Sequence, residues 1–284
     1  MRHDSLISSR TRVVRLLGAA TVALALTGCA AQSNTSAGAP VPGAPRTLVA
    51  VFAHPDDESI VSPALARYAR EGAKVYVVVA TDGRKGVSAH AHIPAGDSLA
   101  TVRAGEARCS ANALGAQPPI LLGFEDAGLS VLSPWPGEPL DRLAKRIETT
   151  LRDVHADAVI TWGAEGGYGH QDHRLVGDVV TQVFQAGNAP SSAKLYYPGF
   201  LAERIAAAPR WFGTHVYPTS PAFLSAHVAY DERDLAAAHR ALTCHKSQAT
   251  DAEMEESFTT LQKIWGGDVA FQQWRGGPNR TGLF

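Results

Sequence analysis

Short apolar segments, separated by amphipathic helical segments, constrain the fold of this chain more than any other feature. Residues 47–53 (TLVAVFA) and 74–81 (KVYVVVAT) are nearly continuous apolar runs, rich in β-branched side chains. Strands of this kind are buried on both faces, which is typical of parallel sheets covered by helices on either side. Three shorter runs of similar character predict further strands at residues 120–123, 158–162 and 194–197.

Helical spacing of apolar residues predicts the elements between and after these strands. They lie at residues 62–71, 99–114, 140–154, 175–184, 235–244 and 253–265. The alternation favours a Rossmann-like, three-layer α/β/α sandwich with a mostly parallel sheet. Ligands bind such sheets beyond the carboxyl ends of the strands, so we expect a functional site in the loops that follow them.

The beginning of the chain has the composition of an export signal. Four arginines within the first 15 residues precede an apolar run at residues 16–26 that is shorter than a membrane span. The LTGC sequence that follows resembles the lipobox of bacterial lipoproteins, whose cysteine, here Cys29, carries the lipid. We predict a lipoprotein signal peptide at residues 1–28, a flexible linker rich in small residues at 29–44, and a folded domain at 45–284. An ordinary signal peptide with an incidental Cys29 is the alternative.

The predicted location is therefore outside the cytoplasm, with a lipid on Cys29 anchoring the protein to a bacterial membrane.

Net charge limits its other partners. The formal net charge is -1, and lysine and arginine do not cluster after residue 30. Proteins that bind DNA or RNA by neutralising phosphates need such clusters, so we expect no nucleic-acid partner.

Two further cysteines, Cys109 and Cys244, lie in helix-like segments. An exported protein can form disulfides, but two cysteines do not define a disulfide framework. We expect buried free thiols, with a disulfide as the first alternative and metal binding as the second.

A polar turn directly follows the first predicted strand. It contains His54, Pro55, Asp56, Asp57 and Glu58, which place one imidazole and three carboxylates close together. Crowded carboxylates repel one another unless a cation neutralises them, and imidazole nitrogen with carboxylate oxygen suits zinc. A helix N-terminus with acidic residues in its first turn is the alternative explanation.

A glycine-rich loop follows the predicted strand at residues 158–162. It has the sequence GAEGGYGHQDH and ends with His170 and His173 at the start of a helix, where residues three apart share one face. A purely structural histidine pair is one explanation. Combined with the first loop, however, these histidines could supply His-Asp-His ligation with an open position for water, the pattern of a catalytic zinc site.

The two loops resemble the signature motifs of the PIG-L/LmbE-type N-acetylglucosamine deacetylases, through HPDDE at residues 54–58 and HQDH at 170–173. Further segments that share the resemblance are TDG at 81–83, Arg103-x-x-Glu106, FED at 124–126 and HKSQ at 245–248. The chain departs from the usual family pattern in Gln171, where proline is common, and in Arg84, where glutamate is frequent.

The resemblance implies a role for each matching residue. The implied zinc ligands are His54, Asp57 and His173. The implied catalytic residues are Asp56 as general base, Tyr168 at the oxyanion, His170 at the oxyanion or the leaving amine, and Asp172 as the orienting partner of His170. The implied substrate-binding residues are Arg103 and Asp126.

Glu58, Arg103 and the His90–His92 loop have open interpretations. Glu58 is expected to support the site or cap a helix rather than bind metal. An exposed ion pair with Glu106 is the alternative role for Arg103. His90 and His92 belong to a solvated loop, to a lid over the substrate or to a second metal site.

The predicted function is zinc-dependent removal of the acetyl group from an N-acetylated amino sugar or glycoconjugate outside the cytoplasm. Iron(II) accepts the same ligands. One alternative is a metal-dependent amidase that acts on another acylated substrate, and another is a non-catalytic glycan-binding lipoprotein. An oxidoreductase with a nucleotide cofactor is excluded, because the carboxylates of HPDDE would repel a pyrophosphate where a glycine-rich turn should bind it.

Overall fold

One seven-stranded sheet forms the centre of the protein. The computed structural model describes residues 45–130, 138–206 and 216–284, so the predicted signal peptide, Cys29 and the predicted linker lie outside the described residues. The strands are β1 (Thr47–Phe52), β2 (Lys74–Thr81), β3 (Ile120–Phe124), β4 (Ala158–Ile160), β5 (Lys194–Pro198), β6 (Leu224–Ala229) and β7 (Asp268–Gln273). Their order across the sheet is β3-β2-β1-β4-β5-β7-β6.

The strands from β3 to β5 are parallel, whereas β7 pairs antiparallel with both β5 and β6. This confirms the predicted α/β class with a mostly parallel sheet. The sequence analysis missed β6 and β7. Their sequences, LSAHVA and DVAFQQ, mix polar and apolar residues and lack the continuous apolar run that identified the central strands.

Eight α-helices connect or flank the strands in the described residues. They are α1 (Ser62–Arg70), α2 (Asp97–Ala113), α3 (Glu138–Asp153), the kinked single turn α4 (Gly166–Gly169), α5 (Gln171–Gln185), α6 (Ala202–Ala206), α7 (Glu232–Leu242) and α8 (Asp251–Trp265). Within these ranges, no helix combines the length and apolar character needed to cross a membrane.

Side chains of β1 alternate between two hydrophobic cores, as the pleat of a strand requires. Leu48 and Phe52 belong to the core that contains buried residues of α1, α7 and α8. Val49 and Val51 belong to the opposite core, with buried residues of α3 and α5. Helices therefore cover both faces of the sheet, which explains why all six residues of β1 are buried.

A disulfide joins Cys109 of α2 to Cys244, which follows α7. The prediction of buried free thiols was wrong, and the alternative of a disulfide is correct. Cys109 is exposed and Cys244 is half-buried, so neither thiol is enclosed in a core. The sequence contained no signal for the pairing, because the two cysteines are separated by 135 residues and meet only when α2 packs beside α7.

Candidate metal centre

The loops after β1 and β4 meet at one edge of the sheet. β1 lies between β2 and β4, so the chain leaves β1 toward one side of the sheet and returns to β4 on the other. A reversal of this kind opens a crevice between the two loops at the carboxyl ends of the strands. The described structure brings the HPDDE turn and the HQDH segment together in that crevice.

Asp57 is held so that one carboxylate oxygen is left for a further partner. Its Oδ2 accepts hydrogen bonds from the backbone N–H groups of Ala53 and His54, each at 2.9 Å, and from the indole Nε1–H of Trp162 at 3.1 Å. Its Oδ1 lies 3.1 Å from His173 Nε2. Burial raises the pKa of Asp57, but the neighbouring His173 and His54 outweigh it and hold this pKa well below its usual range.

Three potential ligand atoms converge in front of Asp57. His54 Nδ1 lies 3.1 Å from His173 Nε2 and 3.8 Å from Asp57 Oδ2. In a tetrahedral zinc site with bonds of about 2.1 Å, ligand atoms are about 3.4 Å apart. The two ring nitrogens and the carboxylate oxygen all carry lone pairs that need a proton or a cation between them, so this spacing fits a metal ion held by His54, Asp57 and His173.

Each histidine of this trio is oriented by a second contact. His173 Nδ1 is 3.1 Å from the carbonyl oxygen of Gly166, and its ring stacks on Trp162 at 4.3 Å between centroids. His54 Nε2 lies 3.3 Å from Asp126 Oδ1 and 3.5 Å from Asp172 Oδ2. A hydrogen bond from the outer ring nitrogen to a carbonyl or carboxylate is what metal-binding histidines usually make.

The carboxylates around His54 make the site strongly attractive to positive charge. Burial lowers the pKa of His54, but contacts with Asp126, Asp172 and Asp57 outweigh burial and raise it to about 12. The positive charge that the cluster holds in this way can be a proton or a metal ion. Two triplets of potential ligands among the described residues have atoms within 4.8 Å of one another, and both contain His54 but not Asp57; they are His54, His170 and His173, and His54, Asp126 and Asp172.

His54, Asp57 and His173 stay the predicted ligands, and the two remaining aspartates are held by backbone donors. Asp126 Oδ2 accepts the backbone N–H of Lys85, and Asp172 Oδ2 accepts the backbone N–H of Ala127, each at 2.9 Å. Both aspartates therefore approach His54 at Nε2, the ring nitrogen opposite the one that faces His173. The roles that the resemblance implies, substrate binding for Asp126 and orientation of His170 for Asp172, stay predictions.

Asp56 has a strained backbone conformation and a hydrogen bond from a buried arginine. Its φ of 148° lies in a region that non-glycine residues rarely adopt, at a cost of about 1–3 kcal/mol. Its Oδ2 accepts a hydrogen bond from Arg103 Nη2 at 2.8 Å. Burial raises the pKa of Asp56 and the Arg103 guanidinium opposes that rise. A carboxylate with a raised pKa beside a metal position is suited to accept a proton.

Arg103 supports Asp56 and is only 3% exposed. Its remaining hydrogen bonds go to the carbonyl oxygens of Pro55, at 2.8 Å, and Gly83, at 3.1 Å. Glu106, the alternative partner, instead accepts hydrogen bonds from the backbone and hydroxyl of Ser247. The alternative of an exposed Arg103–Glu106 pair was therefore wrong, because α2 turns both residues inward against other segments.

His170 and Tyr168 form the opposite side of the site. His170 caps α5, because its Nδ1 accepts the backbone N–H of Asp172 at 3.2 Å. Burial and the adjacent His54 and His173 lower the pKa of His170, so the ring is neutral with its proton on Nε2. Tyr168 is 52% exposed and packs edge-on against His173, and burial of its hydroxyl end together with Asp57 and Asp56 raises its pKa. Both residues therefore present hydrogen-bond donors at neutral pH.

A buried support lies behind the HPDDE turn. Glu58 Oε1 accepts hydrogen bonds from His245 Nε2 at 2.8 Å and from the hydroxyl of Ser110. Glu58 thus supports the site, as expected, and does not contact the ligand trio. The sequence analysis gave no role to His245 or to Trp162. A signal existed for Trp162, which stands where a buried strand meets the glycine-rich loop.

The loop that carries His90 is tied to the segment after α7. Ser88 Oγ donates to the carbonyl oxygen of Ser247, and His90 Nε2 lies 2.7 Å from the carbonyl oxygen of Lys246. His90 and His92 belong to neither potential ligand triplet found among the described residues. This position gives no support to a second metal site.

A cavity of about 250 Å³ opens beside the ligand trio. Asp56, Asp57 and His173 line one part of it, with Trp162 and Tyr168 next to them. The cavity provides access from solvent to the metal position and to Asp56.

The sequence model of the PIG-L family, described as GlcNAc-PI de-N-acetylase, matches residues 49–184. A curated 1D-myo-inositol 2-acetamido-2-deoxy-alpha-D-glucopyranoside deacetylase from Rhodococcus opacus is 37% identical over 157 residues, which are 50% of this chain and 54% of the relative. A second deacetylase of that name, from Catenulispora acidiphila, is 34% identical over 56% of this chain and 59% of its own length. The chain thus spans little more than half the length of these relatives.

Solved structures with the same fold include enzymes of different activities. An N,N'-diacetylchitobiose deacetylase from Pyrococcus horikoshii has a TM-score of 0.56 and 19% identity, covering 80% of this chain and 83% of its own. The zinc-inhibited form of teicoplanin deacetylase Orf2 has a TM-score of 0.59 and 16% identity, covering 80% and 97%. The 4-carboxy-2-hydroxymuconate hydratase GalB from Pseudomonas putida has a TM-score of 0.56 and 16% identity, covering 84% and 99%. At these identities the likeness shows the fold, so the activity has to be argued from the site.

Proposed function

The chain belongs to the PIG-L family through residues 49–184, and from that premise we propose that it is a metal-dependent N-deacetylase. Its proposed substrate is an N-acetylated amino sugar or glycoconjugate, and its products are acetate and the free amine. The observation that carries the proposal is that His54 Nδ1 and Asp57 Oδ1 each lie 3.1 Å from His173 Nε2, with Asp56 next to Asp57 in the same turn.

The proposed mechanism divides the site into a metal side and an oxyanion side. A divalent metal held by the ligand trio would lower the pKa of a bound water toward about 7. Asp56 accepts the proton of the attacking water, and Arg103 keeps its carboxylate in place. The Tyr168 hydroxyl and the His170 Nε2–H donate hydrogen bonds to the oxygen of the acetamide as its charge develops. The proton that Asp56 took from the water then reaches the nitrogen as the C–N bond breaks.

We propose zinc as the metal. Two imidazole nitrogens and one carboxylate oxygen are a common catalytic zinc set, and iron(II) accepts the same donors. Metal analysis of protein purified without added metal, followed by reloading of stripped protein with each ion, tests this choice. Higher activity with iron(II) than with zinc, at equal metal occupancy, would reject it.

Acetate release from a panel of N-acetylglucosamine derivatives tests the activity. We expect turnover by the zinc-loaded protein, loss of turnover with a chelator, and recovery when zinc is restored. Asp57→Ala should remove both zinc binding and turnover. Asp97→Asn is a suitable control, because this carboxylate is 91% exposed at the start of α2. Full turnover by metal-free Asp57→Ala would refute the proposal.

Hydrolysis of another acyl amide is the second candidate function, and the largely apolar lining of the cavity beyond the metal side favours it. Turnover of longer acyl amides without acetate release from any acetylated sugar would support it. The alternative hypothesis is a non-catalytic glycan-binding lipoprotein. It predicts that the protein binds sugars but releases no amine from any substrate.

We further propose that the protein is exported and held at a bacterial membrane by a lipid on Cys29. The basic and apolar start of the chain, the LTGC sequence and the Cys109–Cys244 disulfide support this location, because disulfides persist in oxidising compartments. Cell fractionation of wild type and Cys29→Ala, with globomycin to block lipoprotein processing, tests it. Equal membrane association of both proteins would contradict the lipid anchor.

A further inference from the structure

The cavity beside the metal position changes character along its length. Its polar lining belongs to the metal loops, in Asp56, Asp57 and His173. Its remaining wall includes five aliphatic or aromatic side chains that the proposed mechanism does not use; they are Ile60, Phe200, Val216, Leu242 and Leu261. These side chains come from four separate parts of the chain, so the apolar wall is a product of the tertiary fold.

The apolar wall is unsuited to a bare sugar. Sugar hydroxyls that leave water need hydrogen-bond partners, and a hydroxyl placed against aliphatic side chains loses them. Phe200, Val216 and Leu261 line the cavity, are each at most 8% exposed, and offer no hydrogen-bond partner from their side chains. An apolar ligand group would be favoured there, because it removes this surface from water at no polar cost.

The cavity is also larger than an acetyl group needs. Its volume is about 250 Å³, whereas one water molecule occupies about 30 Å³ in the liquid. A methyl group at the reacting amide would leave most of the apolar wall uncovered.

We infer that this cavity binds an apolar group of the substrate, so that the preferred substrate is an amide of an amino sugar bearing an alkyl or aryl chain. The inference rests on the proposed amide hydrolysis. Two parts of the substrate can supply this alkyl or aryl chain. They are an N-acyl group longer than acetyl and an apolar aglycone on the sugar. In either case the amide lies at the metal position, and the chain extends from it toward Ile60, Leu242 and Leu261.

Two substrate series distinguish the sources. The first is glucosamine with N-acetyl, N-butanoyl and N-hexanoyl groups, and the second is N-acetylglucosamine as its methyl, butyl and hexyl glycosides. Burial of each methylene group is expected to raise kcat/KM about fourfold in the series whose chain enters the cavity. A rise in the first series identifies the acyl chain, and a rise in the second identifies the aglycone. Flat or falling values in both series, with acetamide cleavage intact, overturn the inference alone.

A matched pair of variants tests the wall itself. Leu242 and Leu235 are both partly buried leucines of α7. Of the two, only Leu242 lines the cavity. Leu242→Gln should flatten the dependence on chain length, whereas Leu235→Gln should retain it. Thermal melting of both variants verifies folding. Equal dependence on chain length in both variants would reject the assigned wall.

Binding measurements separate this inference from the proposed reaction. Isothermal titration of the zinc-loaded Asp56→Asn protein with the methyl and hexyl glycosides and with N-hexanoylglucosamine needs no turnover. Tighter binding of a hexyl or hexanoyl ligand than of the methyl glycoside supports the cavity even if no amide is cleaved. Equal affinity for all three ligands contradicts it, whatever the activity.

Discussion

At the scale of single residues, two adjacent aspartates show how one turn gives identical side chains different tasks. Three N–H donors hold Asp57 Oδ2, which leaves Oδ1 facing His173. Asp56 stands at a φ of 148° and pairs with buried Arg103. The strained backbone of Asp56 is tolerated because Arg103 also donates to the carbonyl oxygens of Pro55, in the same turn, and of Gly83, in the loop after β2.

Replacement of the proposed base should separate catalysis from metal binding. Asp56→Asn is expected to lower kcat about 100- to 10,000-fold, the usual effect of losing a general base. The affinity for zinc should change little, because the ligand trio is intact. Steady-state kinetics and a zinc titration measure the two effects. Activity within a few-fold of wild type would show that Asp56 is not the base.

The buried His245 should make stability depend on pH. Burial lowers the pKa of His245, but the adjacent Glu58 outweighs burial and raises it. A raised folded-state pKa means that the protonated His245 contributes stability that is complete below its ordinary value of about 6.5 and is lost as pH rises through the folded value.

His245→Gln keeps a hydrogen-bond donor for Glu58 but removes the titrating charge. We expect this variant to be less stable than wild type by about 1.5–3 kcal/mol at a pH below about 6.5. The difference should narrow as the pH rises. Urea denaturation at several pH values measures it, and a difference independent of pH would contradict this account.

At the scale of elements, contacts between segments far apart in sequence hold the metal loops in place. Gly177 of α5 lies so close to β4 that an added Cβ would be 2.3 Å from the carbonyl oxygen of Trp162. This close approach positions the start of α5, with His170 and His173, against the end of the strand. On the other side, Cys109 and Cys244 adjoin Ser110 and His245, the two residues that hold Glu58.

The disulfide should therefore stabilise the fold next to the metal turn. Cys109→Ser is expected to lower the free energy of unfolding by about 2–4 kcal/mol, the usual effect for a bond that closes a long loop. A reductant should have the same effect on wild type and none on Cys109→Ser. Urea denaturation of both proteins with and without reductant measures this. Indifference of wild type to reductant would contradict the prediction.

At the scale of the whole molecule, the proposed metal ion would complete the charge balance of a crevice where four carboxylates meet. Asp56, Asp57, Asp126 and Asp172 approach one another at the carboxyl ends of β1, β3 and β4. A cation that binds only the folded chain stabilises it, by about 2.7 kcal/mol at a concentration 100 times its Kd.

Metal removal should therefore lower thermal stability as well as activity. A chelator is expected to decrease the Tm of the zinc-loaded protein by about 5–10 °C, from a shift of about 2–4 °C for each kcal/mol in a domain of this size. The Asp57→Ala protein should not respond to the chelator. Zinc affinity should weaken as the pH falls, because protons compete for the histidine and aspartate ligands. Differential scanning calorimetry tests these points, and an unchanged Tm would contradict them.

The sequence by itself determined the α/β class, the central strands and the loops that meet at the metal position. Short apolar runs rich in β-branched residues, alternating with helical segments, favour strands buried on both faces, and polar turns directly after parallel strands lie at one edge of the sheet. The motifs HPDDE and HQDH were also visible, because their chemistry lies in residues adjacent along the chain.

Only the tertiary structure decided what those residues contact. The edge strands β6 and β7, the Cys109–Cys244 bond and the apolar wall of the cavity join segments that are far apart in sequence. The same holds for Asp126 and Asp172 behind His54 and for Arg103 behind Asp56. The contacts of these residues depend on which helix covers which face of the sheet. The local sequence around each residue does not specify that packing.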